Sequence, residues 1–260
     1  MRGLLPLSNQ SINDAINSNQ DLIAPPSSYA YLIALRALTK SVLVITSSSR
    51  AAEELAREIK ELHPDTLEFP AWETLPHERL SPSSDTVAKR ISTLQSLRNS
   101  KDKNWVVVAP IRAAIHKFNK NLVNLEPLKL SRGIEYDLIK LQQDLVTFAY
   151  TRTDLVERRG EFAVRGGIVD IFPPDRSHPI RIDFFGDEIE ELKSFAVADQ
   201  RTSESISCKI KVLPCRELLI TDEIKAKASQ LSEKFENELL SKIGNGLLPE
   251  GMESLIPLLV

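Results

Sequence analysis

The sequence predicts an α/β fold: a parallel sheet flanked by helices, then a smaller α+β region, then a helical segment. Three observations carry this prediction. Short β-branched apolar runs alternate with helical patterns through the first half of the chain. A Gly-Gly pair and a Gly-Asp pair then punctuate successive strand-like runs. Beyond Pro214 the apolar residues return to helical spacing.

Taken in order, Ser11 to Asn17 and Tyr29 to Leu38 read as helices. Ser41 to Thr46 (SVLVIT) is the short, continuous apolar run of a buried parallel strand. Ser47 to Ser49 offer caps for the next helix, where Ala52, Leu55, Ala56, Ile59 and Leu62 recur at helical spacing. Thr66 to Phe69 reads as a strand stopped by Pro70. Asp85 to Arg98 is helical, with an acid near its positive end. Trp105 to Ala109 is a third buried strand, stopped by Pro110. Strands alternating with helices in this way imply a parallel sheet covered on both faces. This first domain spans residues 1–126.

Leu125 to Ser131 reads as a proline-containing connector, and Asp137 to Ala149 as a helix. Glu161 to Arg165, Ile168 to Phe172 and Ile180 to Phe185 then have strand character. Gly166-Gly167 reverses the chain between the first two, and Gly186-Asp187 precedes a further strand from Ile189 to Val197. The pattern is an antiparallel sheet with one or two helices, an inserted α+β domain of residues 127–213. In residues 214–260, Ile224, Ala228, Leu231, Phe235 and Leu239 form one helical stripe, and Gly244 stands where a cap belongs. The final run, Met252 to Val260, is apolar without a stop signal, as expected of a segment cut from a longer chain.

Composition narrows the chemistry. With 33 Lys+Arg against 36 Asp+Glu, the net charge of -3 gives no global reason to bind nucleic acid or an anionic membrane. The opening MRGLLPLSNQ has no signal-peptide core, and no apolar run approaches a membrane span. Cys208 and Cys215 read as reduced thiols of a cytoplasmic protein. After Gly3 the next glycine is Gly133, so the first half lacks the residue that lets backbone wrap a phosphate. His63, His77, His116 and His178 have no metal-ligand spacing, and no metal is expected. Asp187-Glu188 could mimic a magnesium-holding pair, but a Gly-Asp-Glu run is equally a hairpin tip. No catalytic residue emerges.

The arginines are more informative. Arg152, Arg158, Arg159, Arg165, Arg176 and Arg181 share a short span with Asp154, Glu157, Glu161, Asp170 and Asp175. Strand alternation puts Arg181, Asp183 and Phe185 on one face, with Ile182 and Phe184 on the other. If the latter pair faces the core, Arg181 and Phe185 face solvent together. Two explanations remain open: a solvated face of Arg–Asp pairs, or a protein-binding surface anchored by arginine and an aromatic ring.

Three separated segments resemble a known family. They are FPAWETLPHERLSPSSDTVAKRISTL (69–94), GEFAVRGGIVDIFPP with PIRIDFFGDEIEELKSF and QRT (160–174, 179–195 and 200–202), and EGMESLIPLLV (250–260). Together they resemble the bacterial transcription-repair coupling factors, whose N-terminal module is similar to the excision nuclease subunit UvrB. The resemblance implies a degenerate helicase-like, P-loop-type α/β domain with an inserted domain that binds UvrA. It maps the UvrA surface onto Arg165, Arg181 and Phe185, supported by Gly166 and Asp183. It also implies that UvrB's phosphate loop is replaced here by Leu22 to Leu32, where Ala24, Pro25, Pro26, Ser27 and Ser28 stand without glycine or lysine. No cofactor is then expected in this chain. ATP and magnesium would serve motor domains elsewhere in the full-length family members, as would contacts to RNA polymerase and DNA. Intramolecular masking of the UvrA surface by a C-terminal domain is a further implication. The alternative is a nucleotide-dependent, UvrB-like core that binds damaged DNA.

Overall fold

The computed structural model describes residues 14–16, 18, 21–75, 78–99, 102–206 and 209–260. Most of the expected Ser11–Asn17 helix lies outside these, as do His77 and Cys208; residues 14–16 are helical. The chain separates into two compact units. One holds residues 1–72 and 92–116, the other 73–91 and 117–260.

In the first unit, a 3₁₀ turn at Pro26–Ser28 leads into α1, Tyr29–Ala37. Strand β1 is Val42–Thr46. Helix α2, Ser49–Leu62, is capped by Ser48, whose side chain accepts from the Ala51 amide. Strand β2 is Thr66–Glu68 and β3 is Val106–Pro110; helix α3, Ser84–Asn99, belongs to the second unit up to Ile91 and to the first from Ser92. A short helix α4, Ile111–Ile115, follows directly. The three strands form a parallel sheet in the order β1-β3-β2. Val42, Val44, Val106 and Val108 pack with Ala30, Ala37, Ala52, Ala56 and Ile59 of α1 and α2. The expectation of cover on both faces fails at β1, where Leu43 is 66% exposed and Ile45 is exposed beside it. Alternation along this edge strand sends those two side chains away from α1 and α2.

The second unit contains α5, Asn121–Asn124, and β4, Leu128–Leu130. Helix α6, Leu138–Thr147, is capped by Asp137, which accepts from the Lys140 amide at 2.6 Å. Strands follow at β5 (Thr151–Arg152), β6 (Glu161–Arg165), β7 (Ile168–Ile171), β8 (Ile180–Phe185), β9 (Glu188–Phe195), β10 (Thr202–Ser205) and β11 (Ile210–Val212). Six of them form one sheet in the order β10-β9-β8-β7-β6-β5, antiparallel except for the β5–β6 pair. The run expected to be a plain connector contains β4, which pairs with β11. Three-residue strands carry too little alternation to show in a sequence. Leu130, Leu141, Leu145, Phe162, Val169, Ile171, Ile180 and Ile182 make the main core, against α6 and one sheet face.

The stripe expected to form one helix is two. Helix α7, Asp222–Phe235, ends where Glu236 turns left-handed at φ 46°, and α8, Glu238–Gly244, starts on the Asn237 cap. Phe235 is exposed rather than part of the buried stripe. Gly244 lies inside α8, where a Cβ would stand 2.5 Å from Ser229 Oγ, so the two helices approach closely there. A 3₁₀ turn, Met252–Leu255, and α9, Ile256–Leu259, complete the chain. Among the described residues no helix is long and apolar enough to cross a membrane.

Candidate functional site

Register in the large sheet decides which side chains share a face. Ala163, Asp170, Arg181 and Lys193 lie side by side across β6, β7, β8 and β9. Arg165, Ile168, Asp183 and Glu191 form the adjacent row. Phe185, opposite Glu188, stands at the end of the same face. On the other face, Val164, Val169, Ile182 and Phe184 join the core. The predicted alternation along β8 therefore holds, although the β8–β9 ladder shifts register between Asp183 and Phe184.

Two turns deliver this row. Gly166 reverses the chain at φ 59° and Gly186 at φ 61°, conformations that disfavour other residues. Gly167 is constrained by space: a Cβ would come 3.1 Å from the Phe184 carbonyl oxygen. The Gly-Asp-Glu run is a hairpin tip between β8 and β9.

Phe185 is 79% exposed, and Ile168 is exposed on the same face. Arg181 does not share this exposure, since its side chain is only 19% exposed. Its guanidinium lies 4.9 Å from the Phe195 ring centroid. Its Nε and Nη2 donate to the two oxygens of Asp170 at 2.7 and 2.8 Å, and Nη1 reaches the Gln200 carbonyl at 3.5 Å. Those partners come from other strands and a distant loop, so alternation along β8 alone does not show them. Arg165, with its side chain 49% exposed, donates from Nη2 to Asp170 Oδ2 at 2.5 Å. Asp170 itself is 1% exposed. The hydrogen bond to Asp170 is the main cause that holds Arg181 above its ordinary pKa. Asp183 accepts from Lys193 Nζ at 3.3 Å, which also pairs with Glu191 at 2.6 Å. Asp183 thus neutralises a neighbouring cation rather than standing free.

Asp170 is one of five acids that share the arginines' span in the sequence. Its place as their common partner needed the register. A lone acid within the apolar run IVDIF was the available signal, because a buried carboxylate requires a partner.

The other candidate positions are spread out. Ala24 and Pro25 precede the 3₁₀ turn formed by Pro26, Ser27 and Ser28, and Ser28 Oγ donates to the Pro25 carbonyl at 2.7 Å. His63 Nε2 lies 2.8 Å from the Asn104 carbonyl oxygen, His116 stacks at 4.9 Å from Trp72, and His178 is exposed. Among the described residues no group of three His, Cys, Asp or Glu could hold a metal.

Residues 128–218 match the family model of the UvrB interaction domain. The chain is 40% identical over 255 residues to a transcription-repair-coupling factor of Mycobacterium bovis, covering 92% of this chain and 21% of that protein. It is 32% identical over 225 residues to the one of Haemophilus influenzae, covering 83% and 19%. With the one of Escherichia coli it shares 32% identity over 195 residues, 72% and 17%. The chain spans about a fifth of the length of these relatives. Residues 128–218 therefore match the UvrB interaction domain, inside a stretch similar to the transcription-repair-coupling factors.

Proposed function

We propose that this chain is the UvrB-like module of a transcription-repair coupling factor, and that it recruits UvrA to RNA polymerase stalled at DNA damage. One observation carries the proposal. Phe185 is left in solvent on the same sheet face as the half-exposed Arg165, within the stretch that matches the UvrB interaction domain. An exposed aromatic and an arginine on one face have the composition of an interface anchor. Phe185 would bury apolar area at the centre, and Arg165 would fix orientation by charge-assisted hydrogen bonds. Arg181 would act mainly from beneath, through Asp170.

The parallel-sheet unit is, on this reading, a helicase-like domain that has lost its nucleotide site. Pro25 and Pro26 have no N–H to offer where the turn meets α1, and neither glycine nor lysine stands between Leu22 and Leu32. Hydrolysis of ATP, contacts with DNA and polymerase, and masking of the UvrA face would belong to other parts of the full-length protein.

Titration of purified UvrA against the 260-residue chain tests the proposal. Phe185→Ala and Arg165→Ala should each weaken binding about thirtyfold, or ~2 kcal/mol. Unchanged affinity in both variants overturns it.

A further inference from the structure

Two arginines and one acid do not make a symmetrical set. Asp170 is buried at the middle strand of the β6-β7-β8 triplet, directly opposite Ala163 on one side and Arg181 on the other. Ala163 is small and buried, packed with Val156, Phe172 and Phe195. Arg181 takes both carboxylate oxygens and stacks on the buried Phe195 ring. Arg165 reaches across from β6 to Oδ2 with one terminal nitrogen, while half of its side chain stays in solvent. One negative charge therefore serves two positive ones. The trio keeps a net charge of +1, carried outward on Arg165 on the face that also holds Phe185.

A free arginine side chain loses rotamer freedom when a partner immobilises it. Here Arg165 already has one terminal nitrogen tied to Asp170 before any partner arrives. We propose that Asp170 is the positioning residue of this face: it pre-orders Arg165, with Arg181 as its buttress, so that a guanidinium is held ready for an acidic group of the partner. The inference rests on the UvrA-binding function proposed above and identifies what sets the geometry of that surface.

Asp170→Asn removes the charge and turns one acceptor into a donor. Against purified UvrA it should weaken binding about tenfold or more in an otherwise unchanged chain. In an Arg165→Ala background the same substitution should weaken binding less than threefold, while its lowering of the melting temperature persists. A purely structural Asp170 would instead give the same further loss in both backgrounds, and that result overturns the proposal. Wild-type affinity in Asp170→Asn alone also overturns it.

A second measurement needs no substitution. In the unliganded chain, ¹⁵N relaxation of the arginine Nε–H groups should find Arg165 and Arg181 ordered, unlike the exposed Arg50 and Arg201. Order parameters for Arg165 below ~0.6 would refute pre-ordering. If Phe185→Ala and Arg165→Ala both left UvrA binding intact, the binding function itself would fail. If they weaken it and Asp170→Asn does not, only the role of Asp170 fails.

Discussion

Gly251 shows what a single residue can decide. Its φ is +75°, and a Cβ there would stand 2.6 Å from the Arg79 carbonyl carbon and 2.7 Å from its Cα. The neighbouring contact is backbone, which cannot swing aside. Left-handed strain costs about 1–2 kcal/mol for a non-glycine residue, and overpacking typically 1–3. Gly251→Ala should therefore lower unfolding stability by roughly 2–5 kcal/mol in urea titrations, and a change below ~0.5 would contradict the packing described. Around it, Ser81 Oγ donates to Glu253 and accepts from Arg216 and from the Gly251 amide. The sequence presented EGMES as a recognisable string without a reason. The reason is an approach between residues 79 and 251, far outside any local window. Arg181 and Phe185 teach the complementary lesson. Their shared face was legible from a period of two, but their unequal exposure depends on Asp170, Phe195 and Gln200.

At the scale of elements, the parallel strands and the antiparallel hairpins were legible because each has its own punctuation, either a proline stop or a glycine reversal. The short strands β4, β5, β10 and β11 were not. They hold two to four residues each, and β4 finds its partner about eighty residues away. The break between α7 and α8 was equally hidden, since Glu236 adopts a left-handed turn without a glycine to announce it. Tertiary ties between elements are stronger than the sequence suggests. Arg90 on α3 donates from Nε to Glu217 at 2.5 Å, and both side chains are fully buried. Removing one member of such a pair strands the other charge, at a cost of about 3–5 kcal/mol. Glu217→Gln should show that loss in chemical unfolding. Arg90→Met combined with Glu217→Leu should recover most of it, whereas additive losses would argue against a paired role.

Across the whole molecule, the buried acids of highest pKa predict how stability responds to alkali. Burial pushes the Cys215 thiol up to about 12, and burial also holds Tyr150 well above its ordinary range. Burial, followed by the hydrogen bond to Asp144 at 2.6 Å, raises Tyr136. Each is neutral in the fold and would ionise more readily when unfolded, at about pH 9 for the thiol and 10 for the phenols. Their contribution is complete below those values and drains away as pH rises through the folded ones. Melting temperature should thus hold steady from pH 7 to 8.5 and fall steeply above pH 9. A flat profile to pH 11 would refute this. With Cys208→Ser in place, the remaining thiol should resist iodoacetamide at pH 8 until the chain is denatured.

The pairing of β4 with β11 has a consequence for how such a chain can change over time. Leu130 and Ile210 are neighbours in one two-stranded ladder, so the chain departs and returns at nearly the same point. Everything between them is a cassette with its two ends already joined. Its surface loops can be lengthened or trimmed without displacing the segments on either side, as surface insertions are tolerated elsewhere. A partner-recognition surface built inside such a cassette is free to diverge as a block, while the rest of the fold answers to different constraints.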